Sequence, residues 1–212
     1  MKLNKEMLLL YAITDRSLAG RQSIYEQIEE ALLGGVTMVQ LREKQLPKDE
    51  FIKEAVKAVE ICHKYKVPLI INDDVEVALK SGADGVHVGI EDTPVAEIRR
   101  MVSEDFIIGA TCKTVEQAIA AEKAGADYMG VGAVFPSPTK KNAIRITKEK
   151  LSEICSSVSI PAVAIGGIGY DNIYELNGGG MAGVAVVSAI FAADDIKLSA
   201  KQLKNKAKEV IQ

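Results

Sequence analysis

Eight short apolar runs alternate with stretches of helical spacing from one end of this chain to the other. The runs are Leu8 to Thr14, Met38 to Arg42, Pro68 to Ile71, Val86 to Val88, Phe106 to Gly109, Tyr128 to Val131, Ala162 to Ile165 and Val184 to Val187. Such runs are too short for buried helices and carry no polar face, as expected of parallel strands covered on both sides. Helical periodicity is expected over Ser23 to Leu33, Val75 to Lys80, Pro94 to Met101, Val115 to Ala124, Thr147 to Cys155, Asn172 to Leu176 and Lys197 to Ile211, and in a long segment opened by Pro47. There is also an internal echo. Ser81-Gly82-Ala83-Asp84-Gly85-Val86 returns as Ala124-Gly125-Ala126-Asp127-Tyr128-Met129, and more loosely over Gly178 to Val184. Each copy is a helix stop leading into a strand. Repeated strand–helix units with right-handed crossovers build an α/β (β/α)8 TIM barrel, here as one domain over 1–212. An open doubly wound sheet would usually carry a Gly-rich fingerprint after its first strand; this turn reads Thr14-Asp15-Arg16-Ser17.

The hydrophobic fraction of 48% and charged fraction of 26% in 212 residues suit a soluble globule with a full core. A net charge of −3 supplies no global field for nucleic acid, so anionic ligands would have to be held locally. Cys62, Cys112 and Cys155 form no CxxC pair and are expected as free thiols in a reducing compartment. Leu8 to Ile13 is too short to span a bilayer. A cytoplasmic protein with neither membrane nor nucleic-acid partner is expected. Its oligomeric state is left open, a homo-oligomer included.

In barrels of this kind the chemistry sits beyond the C-terminal strand ends. At the second strand's end, period-two alternation places Gln40, Arg42 and Lys44 on one face. Two cations and an amide suit a phosphate; pairing of Arg42 with Glu43 or a neighbouring strand's acid is the competing reading. After the third strand, Asn72-Asp73-Asp74 sets two acids beside the start of a helix. Capping is the better reading for Asp74, while for Asp73 capping and ligand binding stand level. After the fourth strand comes Glu91-Asp92. Two carboxylates about 4 Å apart repel by roughly 4 kcal/mol at an intermediate dielectric. Mg²⁺ relieves that repulsion and typically takes one or two carboxylates plus phosphate oxygens and water. Asp73 and Asp92 are therefore the expected Mg²⁺ ligands.

The loop after the sixth strand, Phe135 to Asn142, holds Ser137, Thr139, Lys140 and Lys141 in a proline-stiffened turn without a Walker loop's glycines. Gly166-Gly167 and Val187-Ser188 end the last two strands, where barrels commonly build a phosphate cup. Gly167 would let the backbone approach a ligand and Ser188 would cap a short helix. Two anion sites follow, one with metal near strands two, three, four and six, the other near strands seven and eight. His63 reads as peripheral. His87 either enters the mouth or is a satisfied core histidine. Thr111, just past the fifth strand, either meets a heterocycle or caps the next helix.

Taken in order, Gln40 to Lys44, Asn72-Asp73-Asp74, His87-Val88-Gly89 with Glu91-Asp92, Pro136 to Lys141, Gly166-Gly167 and Val187-Ser188 resemble the thiamine-phosphate synthases over nearly the whole chain. The resemblance implies a Mg²⁺-dependent transferase of thiamine biosynthesis. It would join an aminopyrimidine methyl diphosphate to a thiazole phosphate and release diphosphate through a pyrimidine-stabilised cation. It further implies that Gln40, Arg42, Lys44, Asn72 and Lys140 bind the pyrimidine diphosphate, with Arg42, Lys44 and Lys140 serving catalysis. Thr111 would stand near the pyrimidine; Ser137, Thr139, Gly167, Val187 and Ser188 would stand around the thiazole phosphate; Asp73 and Asp92 would hold the metal. Ile90 and Asn142 depart from the glutamine and aspartate common in that family. A thiazole tautomerase on the same scaffold would carry histidine where Lys113 stands here. A non-catalytic binder of thiamine-type phosphates is the alternative from another class.

Overall fold

The structure is a computed structural model describing residues 2–20, 22–136 and 145–211. Among them, strands β1 Leu10–Ile13, β2 Met38–Leu41, β3 Leu69–Asn72, β4 Gly85–Val88, β5 Ile107–Cys112, β6 Tyr128–Gly132, β7 Ala162–Ile165 and β8 Gly183–Val186 close a barrel in sequence order. All neighbours pair in parallel, and β8 returns to β1 with Tyr11 opposite Ala185. Around it lie α1 Ile24–Leu33, α2 Lys48–Lys64, α3 Val75–Ser81, α4 Val95–Met101, α5 Val115–Ala124, α6 Lys148–Ser156, the short α7 Ser188–Phe191 and α8 Ile196–Val210. The (β/α)8 barrel expected from the alternation is the fold observed.

Side chains at the helix starts explain several boundaries. Ser23 and Glu26 form a capping box at α1, satisfying two amides that the helix leaves unpaired. Asp74, Thr114, Thr147 and Asp195 cap α3, α5, α6 and α8. Most strand and helix ends fall within one residue of expectation, and two differ by more. Leu8 does not begin β1: Asn4 caps a 3-10 turn, Lys5–Leu8, whose last residue is buried. The fifth strand runs on past Gly109 to Cys112, because Thr111 and Cys112 still pair with Gly130 and Val131. The segment Ile173–Leu176 is a 3-10 turn rather than an α-helix.

The sequence echo has a physical cause. Asp84 precedes β4, and its carboxylate accepts the Leu69 amide at 2.9 Å, at the start of β3. Asp127 precedes β6 and accepts the Ile108 amide at 2.7 Å in the same way. Their cationic or imidazole partners are Arg99 at 2.6 Å from Asp127 and His63 at 2.9 Å from Asp84. His63 thus braces the base of the barrel, far from the mouth. In the third copy Ala182 stands in the acid's place, and only the backbone bond to Ala162 remains.

Two apolar clusters divide the interior. One lies between strands and helices and includes Ile28, Ala55, Val86, Leu151 and Leu203. The other fills the barrel with Leu8, Tyr11, Met38, Ile70, Ile107, Tyr128 and Val163. Cys62 and Cys112 are buried free thiols and Cys155 is half-buried and free. Among the described residues no helix is long and apolar enough to cross a membrane.

Gly183 is the tightest contact at the base: a Cβ there would stand 1.7 Å from the Leu8 carbonyl oxygen. Gly183→Ala should cost roughly 2–3 kcal/mol. The check is a lowered urea midpoint with an unchanged slope; an unmoved midpoint would mean that the 3-10 turn is not held against β8.

Candidate active site

The mouth is built first by the turn after β1. Thr14 is buried; its amide donates to the Gln40 carbonyl at 2.9 Å and its hydroxyl accepts the Arg42 amide at 3.0 Å. This fixes the direction in which the chain leaves β2. Arg16 binds Glu43 through Nε at 3.0 Å and also pairs with Glu54. Glu43 is therefore committed to Arg16 rather than to Arg42. The Arg42 guanidinium lies 3.9 Å from Asp15, beyond hydrogen-bond length. The pairing with a neighbouring strand's acid thus exists but is loose.

The acids after β3 separate by role. Asp74 caps α3 through Val77 N at 3.0 Å. Asp73 takes a left-handed backbone, φ 65°, with its amide bonded to the His87 carbonyl at 2.8 Å. Aspartate tolerates that conformation better than most residues. The turn aims its carboxylate at Lys44, 2.6 Å away, and at the Asp92 carboxyl. The nearby Asn72 side chain also helps to lower the pKa of this carboxylate. Asp92 is held by the Gly89 amide at 2.7 Å, in the same turn as the exposed Ile90.

Burial raises the pKa of both acids, but hydrogen bonds from Lys44 and Asp92 outweigh it at Asp73, which lies below the ordinary range. At Asp92 burial, reinforced by the adjacent Asp73, prevails over the Gly89 amide, and the pKa lies above that range. Two carboxyls in contact, one of them pushed towards the neutral form, fit a divalent cation as donor set. Among the described residues no three of His, Cys, Asp or Glu cluster as a fuller metal site; magnesium commonly completes its shell with phosphate and water.

Below the mouth a chain of hydrogen bonds crosses the barrel. Gln40 Nε2 donates to the Tyr11 hydroxyl at 2.6 Å, and Tyr11 meets the Tyr128 hydroxyl at 2.9 Å. Tyr128 meets His87 Nδ1 at 3.0 Å, and His87 Nε2 meets Thr111 Oγ1 at 3.1 Å. Five strands, β2, β1, β6, β4 and β5 in that order, contribute one residue each. His87 is thus a satisfied interior histidine that also reaches the mouth through Thr111. Thr111 lies within β5, and the cap of α5 is Thr114. Sequence reasoning missed Tyr11 and Tyr128, which read as apolar filling. The available signal was a phenol on a barrel's inner face, whose hydroxyl needs a partner.

On the other side of the mouth, the Asn172 side chain bonds Gly167 O and Gly169 N, both at 2.9 Å, and shapes the turn after β7. Gly166 and Gly167 have φ of 101° and 66°. A Cβ at Gly167 would stand 2.2 Å from the Pro136 carbonyl, so its close approach is to the chain leaving β6 rather than to a ligand alone. The expected capping role of Ser188 is corrected: Val187 holds the cap position, without a side-chain bond, and Ser188 is the first residue of α7. Val187 and Ser188 nevertheless follow β8 directly, at the mouth. Ser137, Thr139, Lys140 and Asn142 lie outside the described residues.

Residues 10–190 match the family model described as thiamine monophosphate synthase. The chain belongs to the thiamine monophosphate synthase family. A thiamine-phosphate synthase of Ruminiclostridium cellulolyticum is 47% identical over 194 residues, 92% of each chain. One of Clostridium beijerinckii is 45% identical over 196 residues, 92% of this chain and 94% of that one. Among solved structures, the thiamine phosphate pyrophosphorylase of Pyrococcus furiosus superposes with a TM-score of 0.90 at 39% identity, covering 98% of this chain and 99% of that one.

Within this family member the strain between the paired acids is directly measurable. A carboxyl with a raised folded pKa costs stability above its unfolded value and nothing below it. Asp92→Asn keeps an acceptor for the Gly89 amide but removes that cost. The metal-free variant should melt slightly higher than wild type at neutral pH. The gap should close as pH falls below the ordinary aspartate value of 3.8. Thermal melts across that range without magnesium test it; a variant that melts lower at neutral pH would show that the two acids do not oppose each other.

Proposed function

We propose that this chain is a thiamine-phosphate synthase, joining an aminopyrimidine methyl diphosphate to a thiazole phosphate with release of diphosphate. The observation that carries the reading is the meeting of Lys44 with the Asp73–Asp92 pair past β2, β3 and β4, with Arg42 on the same stretch after β2 and only loosely held by Asp15. The methylene–oxygen bond breaks and its electron pair leaves with the diphosphate. The thiazole nitrogen then gives its lone pair to the methylene carbon, and no proton has to be moved. Such a step calls for charge neutralisation and orientation.

Arg42 and Lys44 are assigned to the leaving diphosphate, as is Lys140. The half-exposed Lys44 can exchange its partner Asp73 for a phosphate at small cost, because exposed ion pairs contribute about 1 kcal/mol or less. Asp73 and Asp92 are the residues that would hold Mg²⁺, which when bound would add further neutralising charge at the diphosphate. Gln40, Asn72 and Thr111 are assigned to the pyrimidine end. Ser137, Thr139, Gly167, Val187 and Ser188 are assigned to the thiazole phosphate. The free thiols Cys62, Cys112 and Cys155 suit a reducing, cytoplasmic setting.

Diphosphate release with both substrates, with and without EDTA, tests the reaction. Release is expected only when both substrates and magnesium are present; tight binding of both with no release would make the chain a binder. Arg42→Ala should lower kcat by roughly a hundredfold or more. Ser188→Ala should raise the KM for the thiazole phosphate a few-fold and leave that for the diphosphate unchanged, since backbone amides remain. A collapse of diphosphate affinity would remove the division into two subsites.

A further inference from the structure

The barrel interior could have been filled with Leu, Ile and Val, as such interiors usually are. Here an amide, two phenols and an imidazole lie inside it, all buried. Buried polar groups cost stability unless each is bonded, and these are bonded in a single line ending at the mouth. Backbone space is given over to that line. A Cβ at Gly109 would stand 2.2 Å from Tyr128 Cζ and 2.4 Å from both the Tyr128 hydroxyl and His87 Nδ1. A Cβ at Gly130 would stand 3.0 Å from His87 Cε1. Neither glycine has a positive φ, so their function is room for this contact.

The line has a direction. Gln40 donates an N–H to Tyr11. Burial pushes both phenols well above their ordinary pKa, so each keeps a single proton to give. Either atom of each of the next two contacts can donate; with Gln40 donating first, the sense that leaves no buried proton without an acceptor sends the Tyr11 proton to the Tyr128 oxygen and the Tyr128 proton to His87 Nδ1. A neutral His87 then carries its proton on Nε2 and donates it to Thr111 Oγ1. The Thr111 oxygen is an acceptor inside the barrel, and its own proton is left for the mouth.

We propose that Tyr11, Tyr128 and His87 are positioning residues that set hydrogen-bond polarity, making the Thr111 hydroxyl a donor towards the bound heterocycle and so selecting an aminopyrimidine over its oxo analogue. The identity of the heterocycle rests on the function proposed above. The ring nitrogens of an aminopyrimidine accept hydrogen bonds. The oxo analogue replaces one acceptor by an N–H, which would face a donor. A site polarised for one partner penalises the other because a buried group is left unpaired.

Two measurements on the whole 212-residue chain decide it. The first is ¹⁵N NMR of histidine-labelled protein at mildly alkaline pH; with two histidines in the chain, His63→Gln assigns His87. The Nε2–H tautomer is expected in wild type, and Tyr128→Phe should lose that preference. A proton on Nδ1 in wild type would overturn the proposal, because the line would then run the other way. The second is the ratio of kcat/KM for the aminopyrimidine diphosphate to that for its oxo analogue. Tyr128→Phe should reduce this ratio roughly tenfold, through the KM for the pyrimidine and not that for the thiazole phosphate. Thr111→Ser should preserve the ratio and Thr111→Val should lose it. An unchanged ratio in Tyr128→Phe overturns the selectivity assignment, and Tyr11→Phe replaces that variant if it does not fold. A wild-type chain that releases no diphosphate would defeat the proposed reaction, while the tautomer would still decide the polarity.

Discussion

Closing a parallel sheet on itself leaves every strand paired on both sides, and this closure governs the remainder of the molecule. Each inner-face side chain must fill space inside a fixed wall or reach the open end. The lower part of the wall is apolar, with Met38, Ile70, Ile107 and Val163 packed together. Polar inner-face residues sit higher on the strands: Gln40, Asn72, His87 and Thr111. At the base the Asp84 and Asp127 carboxylates bind amides of β3 and β5, tying each strand to the turn that enters a neighbour. A shift in register would break those bonds as well as misplace the mouth.

At the open end the charges satisfy one another in pairs that a ligand can take over. Lys44 leans on Asp73, Arg42 stands loosely by Asp15, and Asp73 presses on Asp92. None of these is a deeply desolvated ion pair, so exchanging a carboxylate for a phosphate does not strip bare charges from water. Arg16 matters by subtraction: by holding Glu43 it keeps that acid from neutralising the inward cation. The polar line through the barrel runs below this charged rim, from Gln40 on β2 to Thr111 on β5.

Much of this was legible in the residues. Alternating apolar runs and helical stripes forecast the barrel because burial on both faces leaves a compositional trace. Asp74 and Thr147 were legible as caps because capping depends on local geometry. Two other readings failed, and one was incomplete. Ser188 looks like a cap, yet the chain turns one residue earlier, at Val187. Gly167 was legible as a place needing a bare backbone, and the structure adds the Pro136 carbonyl as a close neighbour there. Leu8 looks like strand, yet Asn4 begins a 3-10 turn that ends on it.

What the sequence by itself determined was the period of its apolar pattern, the places where helices begin and stop, and the kinds of charged group at each strand tip. These depend on neighbours within a turn or two along the chain. Only the tertiary structure decided that Tyr11, Tyr128 and His87, 117 residues apart at the tyrosines, form one hydrogen-bonded line, and that Asp73 faces both Lys44 and Asp92. Those contacts arise from barrel closure, which brings together inner-face side chains from strands far apart in the chain; no local spacing encodes how far around the wall a partner will stand.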